Sequence, residues 1–259
     1  MQNLPIDSLS ADRGMFRITH MPDVPRSRAH ASTGRFYTIL TTPARRARPG
    51  SSPVAGSIVS PITICAAVPP HKHQELMTAA VERDGAAQQA LLAGDREAAR
   101  AAFAAAAELY RRSWEEAPPT AYGRLVGMVK SAVLAGDGAP EARYVREALG
   151  DRDPASPTAS YAQALAALIL GADEDAGGWA RRMGGGADAF GRTAEAIAAI
   201  AAGDPGHYTV ALEAIVRDFE QRTEHLTGVA IADTALVVSE LGARRGMAAA
   251  IESPVLPAL

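Results

Sequence analysis

Five charged or ionisable side chains lie close together between positions 218 and 225: Asp218, Glu220, Arg222, Glu224 and His225. Glu220 and Glu224 are four residues apart, so in a helix they would share one face. Two carboxylates beside an imidazole could bind a metal ion or transfer a proton. The alternative is a solvated helix end, where the charges have no role beyond solubility.

A single carboxylate, Asp233, lies inside the otherwise apolar run of residues 229–238. A buried carboxylate needs a partner, because leaving water without one costs free energy. Arg222 or Arg217 would supply that partner, forming either a structural ion pair or a functional polar site. The partner-binding residues predicted on this basis are Arg222, Glu224, His225 and Asp233.

The other motifs that could do chemistry each have a simpler interpretation. His71 and His73 with Glu75 could ligate a metal, but no further ligand lies near them in sequence, which favours a solvated junction. Glycines 184–186 lack the Lys-Ser/Thr of a phosphate loop and indicate a flexible linker. Cys65 has no basic partner that would lower its pKa and is expected to be inert. No catalytic residue, cofactor site or metal site is therefore predicted.

Residues 90–114 show which elements would position the polar cluster. Gly94 can end one helix in the left-handed conformation, and Asp95 can cap the next. Phe103, Tyr110 and Trp114 then fall on one face, at helical spacing with two alanines. That face is predicted to be core, with a ligand-binding aromatic box as the alternative. A helical hairpin of this kind cannot bury its apolar face alone.

Similar helix ends recur along the chain at residues 92–95, 134–137, 170–173 and 202–204. The intervals of about 42, 35 and 32 residues fall within the range typical of stacked supersecondary units. Thr120 is predicted to cap the third helix. A ninth helix is predicted over about residues 229–243. We therefore predict an all-α fold in which helical hairpins stack as a short irregular α-solenoid.

Two stretches resemble known families. In the first hairpin, Ala99, Phe103 and Ala106 occupy the small, aromatic and small positions that follow the Gly-Asp turn of a tetratricopeptide repeat, and this resemblance implies a helical-repeat fold. Residues 211–222, 233–236, 245–246 and 253–257 are similar to the end of immunity protein 49 family members. That resemblance implies an all-helical bacterial protein that neutralises a toxin from a rival strain.

Charge divides the 259-residue chain in two. Residues 1–73 carry nine Lys/Arg and three Asp/Glu, a balance of 9 − 3 = +6, whereas residues 74–259 carry 17 and 26, a balance of 17 − 26 = −9. Residues 1–73 are predicted to be a disordered tail, with an over-extended start before Met77 and a targeting peptide as alternatives. Residues 74–259 are predicted to form the helical-repeat domain.

The acidic domain disfavours nucleic acid and anionic membranes and favours a basic protein or peptide partner. One cysteine excludes an intrachain disulfide and is typical of a cytoplasmic protein, and no apolar run reaches the ~18 residues of a spanning helix. The sequence predicts a non-catalytic protein-binding protein, with a toxin-neutralising immunity protein as the sharper hypothesis. The alternative is an enzyme or small-molecule sensor with a polar pocket near Asp233.

Overall fold

A computed structural model describes residues 71–150, 156–184 and 188–257. The predicted tail up to residue 70, Cys65 and glycines 185–186 lie outside these residues. Within the described ranges the chain forms nine helices and no strands. They are α1 (Lys72–Leu92), α2 (Arg96–Glu115), α3 (Gly123–Ala135), α4 (Ala139–Leu149), α5 (Pro157–Ile169), α6 (Asp173–Arg182), α7 (Ala189–Ala202), α8 (Pro205–Glu220) and α9 (Asp233–Ala243).

The predicted all-α fold of stacked helical hairpins is confirmed. Helices that follow one another pack together, most extensively α1 with α2, α2 with α3 and α7 with α8. The last helix, α9, packs against α3, α7 and α8 and so returns to helices formed much earlier in the chain. This return brings side chains from α1 and α3 next to side chains from α8 and α9. No helix in these parts of the chain is long and apolar enough to cross a lipid bilayer.

The recurring glycine-aspartate corners do lie at helix ends. Gly94 and Gly203 have positive φ angles of 78° and 67°, where a residue with a Cβ is disfavoured. Asp95 then accepts a hydrogen bond from the Ala98 amide at 3.0 Å, and Asp204 caps α8 in the same way. At the other two corners the aspartate is not the cap, because Gly138 and Ala172 hold the N-cap positions of α4 and α6.

The apolar face predicted for α2 is core. Phe103 is 1% exposed and Tyr110 is 2% exposed, whereas Trp114 is half-buried and packs near the Tyr122 ring. The Tyr110 ring packs closely against α3 at Gly127, where an added Cβ would come within 2.8 Å of the ring. This close approach fixes the tyrosine so that its hydroxyl reaches a buried carboxylate described below.

Three helix starts differ from the predicted ones. The ninth helix begins at Asp233 rather than near 229, because the Ala232 amide donates to the Val255 carbonyl, 2.7 Å away. The tail of the chain thus takes a bond that a longer helix would have used. Thr120 is not a cap, since α3 begins at Gly123. The first helix begins at Lys72, three residues before the start predicted near Glu75.

Candidate functional site

A cavity of about 200 Å³ lies between α7, α8, α9 and the connection of residues 221–232, which we call the α8–α9 segment. Helices α1 and α3 reach it through Gln88 and Lys130. The charged and ionisable side chains of its lining are Lys130, Arg192, Asp218, Arg222, His225 and Asp233. Three of the four residues predicted from the sequence to form a site therefore share one cavity.

The floor of the cavity is an ion pair between α3 and α9. Lys130 Nζ lies 2.5 Å from Asp233 Oδ2 and donates a second bond to Thr234 Oγ1 at 3.0 Å. The other carboxylate oxygen accepts from the Thr234 amide at 2.6 Å. Burial disfavours the charged lysine, but the charges of Asp233, Tyr161 and Asp84 and the hydrogen bond to Asp233 together outweigh it, so the pKa of Lys130 lies above its ordinary value.

Asp233 therefore has a partner, but not the one predicted. The sequence favoured Arg222 or Arg217, whereas the structure places Lys130 there, 103 positions away along the chain. The physical reason is the packing of α9 on α3, a long-range contact that no local pattern reports. The sequence nevertheless contains an indication of the role of Lys130, because α3 has no other charged residue apart from Arg124 near its start.

A second carboxylate, Asp84, lies beneath the floor and is 9% exposed. It accepts hydrogen bonds from the Tyr110 hydroxyl at 3.3 Å and from Gln88 Nε2 at 3.5 Å. Burial, with the charge of Asp233 as a second cause, raises its pKa to about 6. Burial and the charge of Asp84 also raise the pKa of Tyr110. Asp84 was not predicted from the sequence, although it lies at helical spacing among the buried residues Ala80, Ala87 and Leu91.

The mouth of the cavity is built on Asp218 of α8. Arg192 of α7 approaches one of its carboxylate oxygens at 2.5 Å, and Arg222 donates to the other through Nε at 3.0 Å and through a terminal nitrogen. The guanidinium of Arg222 also covers the Phe219 ring at 3.8 Å. The His225 ring stacks on the same phenyl ring, with centroids 6.2 Å apart.

Glu224, the fourth predicted site residue, is exposed and does not line the cavity. The prediction assumed that Glu220 and Glu224 share a helix face, but α8 ends at Glu220. Glu220 instead accepts a hydrogen bond at 2.7 Å from Ser253 in the C-terminal tail. The acidic pair that would have bound a metal or moved a proton is therefore not assembled.

The α8–α9 segment packs against α1. The Thr227 hydroxyl donates to Gln88 Oε1 at 2.6 Å, and the Thr227 carbonyl rests on the helix at Gly85. A turn closes behind it, because the Gly228 amide donates to the His225 carbonyl at 3.0 Å. These bonds hold His225 and Leu226 at the edge of the cavity.

His71 and His73 do not come together with Glu75 as a metal site. Their rings stack 5.6 Å apart at the start of α1, where His71 is the N-cap. Across the ranges that the structure describes, no group of three His, Cys, Asp or Glu side chains is placed to hold a metal ion.

Comparison with known protein families, with curated proteins and with solved structures finds no match for this chain. The cavity must therefore be interpreted from its own chemistry. It offers a part-buried ion pair at the floor, a carboxylate held by two arginines at the mouth, and a histidine whose Nδ1 is buried without a hydrogen-bond partner in the described structure.

Proposed function

We propose that this chain is a non-catalytic protein-binding protein, and in sharper form an immunity protein that neutralises a toxin. The observation that carries the proposal is the cavity beside the α8–α9 segment. Its polar groups are held in place by bonds that join α1, α3, α7, α8, α9 and the α8–α9 segment, so it is formed before any partner arrives. The likeness of the C-terminal stretch to the immunity protein 49 family supports the sharper form.

The size of the cavity favours a protein partner over a cofactor. Small-molecule and cofactor pockets are typically about 300–1,000 Å³. The cavity here is about 200 Å³, which suits one side chain inserted from a partner. Binding energy at protein interfaces is concentrated where a few side chains of one partner fill pockets of the other.

The surroundings of the mouth also support docking by a protein. Leu226 is 76% exposed on the α8–α9 segment, and Arg222 lies on the preceding turn. An arginine whose guanidinium is already fixed by Asp218 and Phe219 loses little conformational freedom when it is buried by a partner. A rigid arginine beside an exposed leucine is a favourable surface for association.

The partner we propose is a basic protein or peptide in the cytoplasm. Residues 74–259 carry a balance of 17 − 26 = −9, which attracts a basic partner over long range and raises the association rate. The same charge disfavours nucleic acid.

One observation favours the alternative of an enzyme or small-molecule sensor. A carboxyl group with a pKa of about 6, such as Asp84, is suited to proton transfer near neutral pH. Asp84 does not line the cavity, however, and Gln88 lies between its carboxylate and Thr227 at the cavity edge. A ligand in the cavity would meet Gln88 rather than Asp84, so the binding function is the better supported one.

The proposal is tested by co-expressing the full chain with the toxin encoded beside its gene and counting surviving cells. We expect the wild-type chain to rescue growth. The variant Arg222→Glu, which reverses the charge at the cavity mouth, should abolish rescue. The matched control is Arg217→Glu in the last turn of the preceding helix α8, where the arginine is 70% exposed and pairs with Glu213, and it should rescue as the wild type does.

Two results would contradict the proposal. Equal killing with and without the wild-type chain, or the lack of any toxin gene beside it, would remove the immunity function. Equal rescue by both charge reversals would place the docking surface away from the cavity.

A further inference from the structure

We infer that the mouth of the cavity receives a carboxylate, supplied by an acidic side chain of the protein partner. The inference rests on the proposed function, since it names the group that such a partner would insert. It starts from the charges of the lining, which are three cations, Lys130, Arg192 and Arg222, and two carboxylates, Asp218 and Asp233.

The two carboxylates of the lining are already engaged. Both oxygens of Asp218 accept from arginines, and both oxygens of Asp233 accept from Lys130 or Thr234. An incoming hydrogen-bond donor would have to compete with these bonds. An incoming acceptor would not, so the lining is better matched to an acceptor than to a donor.

Donor capacity is left at the mouth. Arg222 uses Nε and one terminal nitrogen on Asp218, which leaves its second terminal nitrogen to bind a ligand. His225 Nδ1 is buried and has no hydrogen-bond partner among the described residues, although buried polar atoms normally have one. A carboxylate that accepts from that nitrogen of Arg222, and from His225 in the tautomer that carries its proton on Nδ1, would satisfy both groups, and arginine binds carboxylates with favourable geometry.

The distribution of charge places the carboxylate at the mouth rather than at the floor. At the floor, Asp84 and Asp233 lie around one cation, Lys130, and both interact with it electrostatically. At the mouth, Asp218 is the carboxylate of the described lining that Arg192 and Arg222 both contact. A position beside these two arginines is therefore more favourable for an anion than a position beside Asp84 and Asp233.

A partner that is basic overall can still present one acidic side chain. Long-range attraction depends on net charge, whereas contact in the cavity depends on the few groups within hydrogen-bond distance. The inferred carboxylate would fix the orientation of the partner after the acidic surface has attracted it.

The probe is glutarate, which carries the carboxylate of an acidic side chain, titrated into the full chain. Binding is followed by the NMR shifts of the arginine Nε–H groups and the His225 ring. Glutaramide, the neutral diamide of the same shape, is the control ligand. We expect saturable binding of glutarate with a Kd of about 1–10 mM, as befits a fragment of a larger interface, and none of glutaramide.

The protein variants are Arg222→Gln and Arg217→Gln. We expect the first to weaken glutarate binding at least about tenfold and the second to leave it unchanged. Thermal midpoints measured on both variants establish that they are folded, and His225→Phe, which keeps the stacked ring, provides a second test in which the shift of Arg222 should weaken.

Several outcomes would overturn the inference: no saturable binding of glutarate, equal binding of glutaramide, or unchanged binding by Arg222→Gln. Micromolar binding of glutarate would also overturn it, because a free small carboxylate would then be the ligand in place of a partner's side chain. Glutarate binding without rescue from the toxin would refute the proposed function alone. Rescue without glutarate binding would refute the carboxylate alone.

Discussion

The backbone carbonyl of Thr227 rests directly on α1 at Gly85, where an added Cβ would lie 3.0 Å from the carbonyl oxygen. One turn further along the helix, Gln88 accepts the hydrogen bond from the hydroxyl of the same threonine. Helix α1 thus positions the α8–α9 segment at the edge of the cavity, although the segment lies more than a hundred residues later in the chain.

The contact between Thr227 and Gly85 predicts that Gly85→Ala will not stabilise the fold as such a substitution normally does in a helix. Replacing a helical glycine with alanine normally stabilises a helix by up to ~1 kcal/mol. At Gly177 of α6 the nearest atom to an added Cβ is 3.7 Å away, so Gly177→Ala should show that gain. Gly85→Ala should fall short of it by about 1–2 kcal/mol, because the new Cβ meets a backbone carbonyl. Chemical denaturation of both variants measures the difference in stability. An equal gain at both positions would contradict the contact of the Thr227 carbonyl with α1 at Gly85.

The Lys130–Asp233 pair predicts strong coupling between two distant positions. Lys130→Met should destabilise the fold by about 2–4 kcal/mol, because it leaves the buried Asp84 and the part-buried Asp233 without their cation. In a double-mutant cycle with Asp233→Asn, the coupling free energy should be about 1–3 kcal/mol.

The control for this cycle is the exposed pair Arg217–Glu213 on α8, 3.2 Å apart. Its coupling should stay below about 0.5 kcal/mol, since solvent screens it. Additive effects of Lys130→Met and Asp233→Asn would show that the floor ion pair is not formed in solution.

Asp84 predicts a pH dependence of stability. Its pKa rises from 3.8 to about 6 on folding, so the folded chain holds the proton more tightly than the unfolded chain. The contribution of Asp84 to stability is therefore complete below pH 3.8 and is lost as the pH rises through 6. Lys130, Asp233 and Tyr110 are the ionisable groups that set this value.

The variant Asp84→Asn isolates this effect, because it cannot titrate and its amide can still bond to the Tyr110 hydroxyl and to Gln88. The stability of the variant relative to wild type should increase by about 2 kcal/mol between pH 4 and pH 7.5. Urea denaturation at both pH values measures it. A relative stability that does not change with pH would mean that Asp84 titrates normally.

Removal of the Phe103 ring would leave a cavity in the first hairpin and should therefore lower the stability of the fold. Its ring is 1% exposed, and Phe103→Ala should destabilise the fold by about 3–5 kcal/mol. Leu92→Ala is the matched control, because Leu92 is 53% exposed at the end of α1 and its truncation should change stability by less than about 0.5 kcal/mol. Similar losses at the two positions would contradict the assigned core face of α2.

Local patterns were sufficient to predict most of the fold. Apolar spacing identified the buried face of α2, and the glycine-aspartate corners identified four helix ends, because both features act within a few residues. The start of α9 was missed because it depends on a bond from Ala232 to Val255, which no local pattern records.

The site was predicted only in part, for the same reason. Arg222, His225 and Asp233 are close in sequence and share the cavity, but Lys130 and Gln88 come from helices that reach it through long-range packing. Glu224 was assigned to the site because a helix was assumed to continue past Glu220. Asp84 could have been predicted, because it is a charged residue at the helical spacing of the buried residues of α1.

Docking of the partner at the cavity mouth is the central claim, and calorimetric titration of the toxin into the purified full chain tests it most directly. We expect Arg222→Glu to weaken the Kd at least about 100-fold, since the reversed charge faces Asp218 and loses the contact with the partner. Arg217→Glu, in the last turn of α8, should keep the Kd within about threefold of wild type. Equal affinity of the two folded variants for the toxin would contradict the claim.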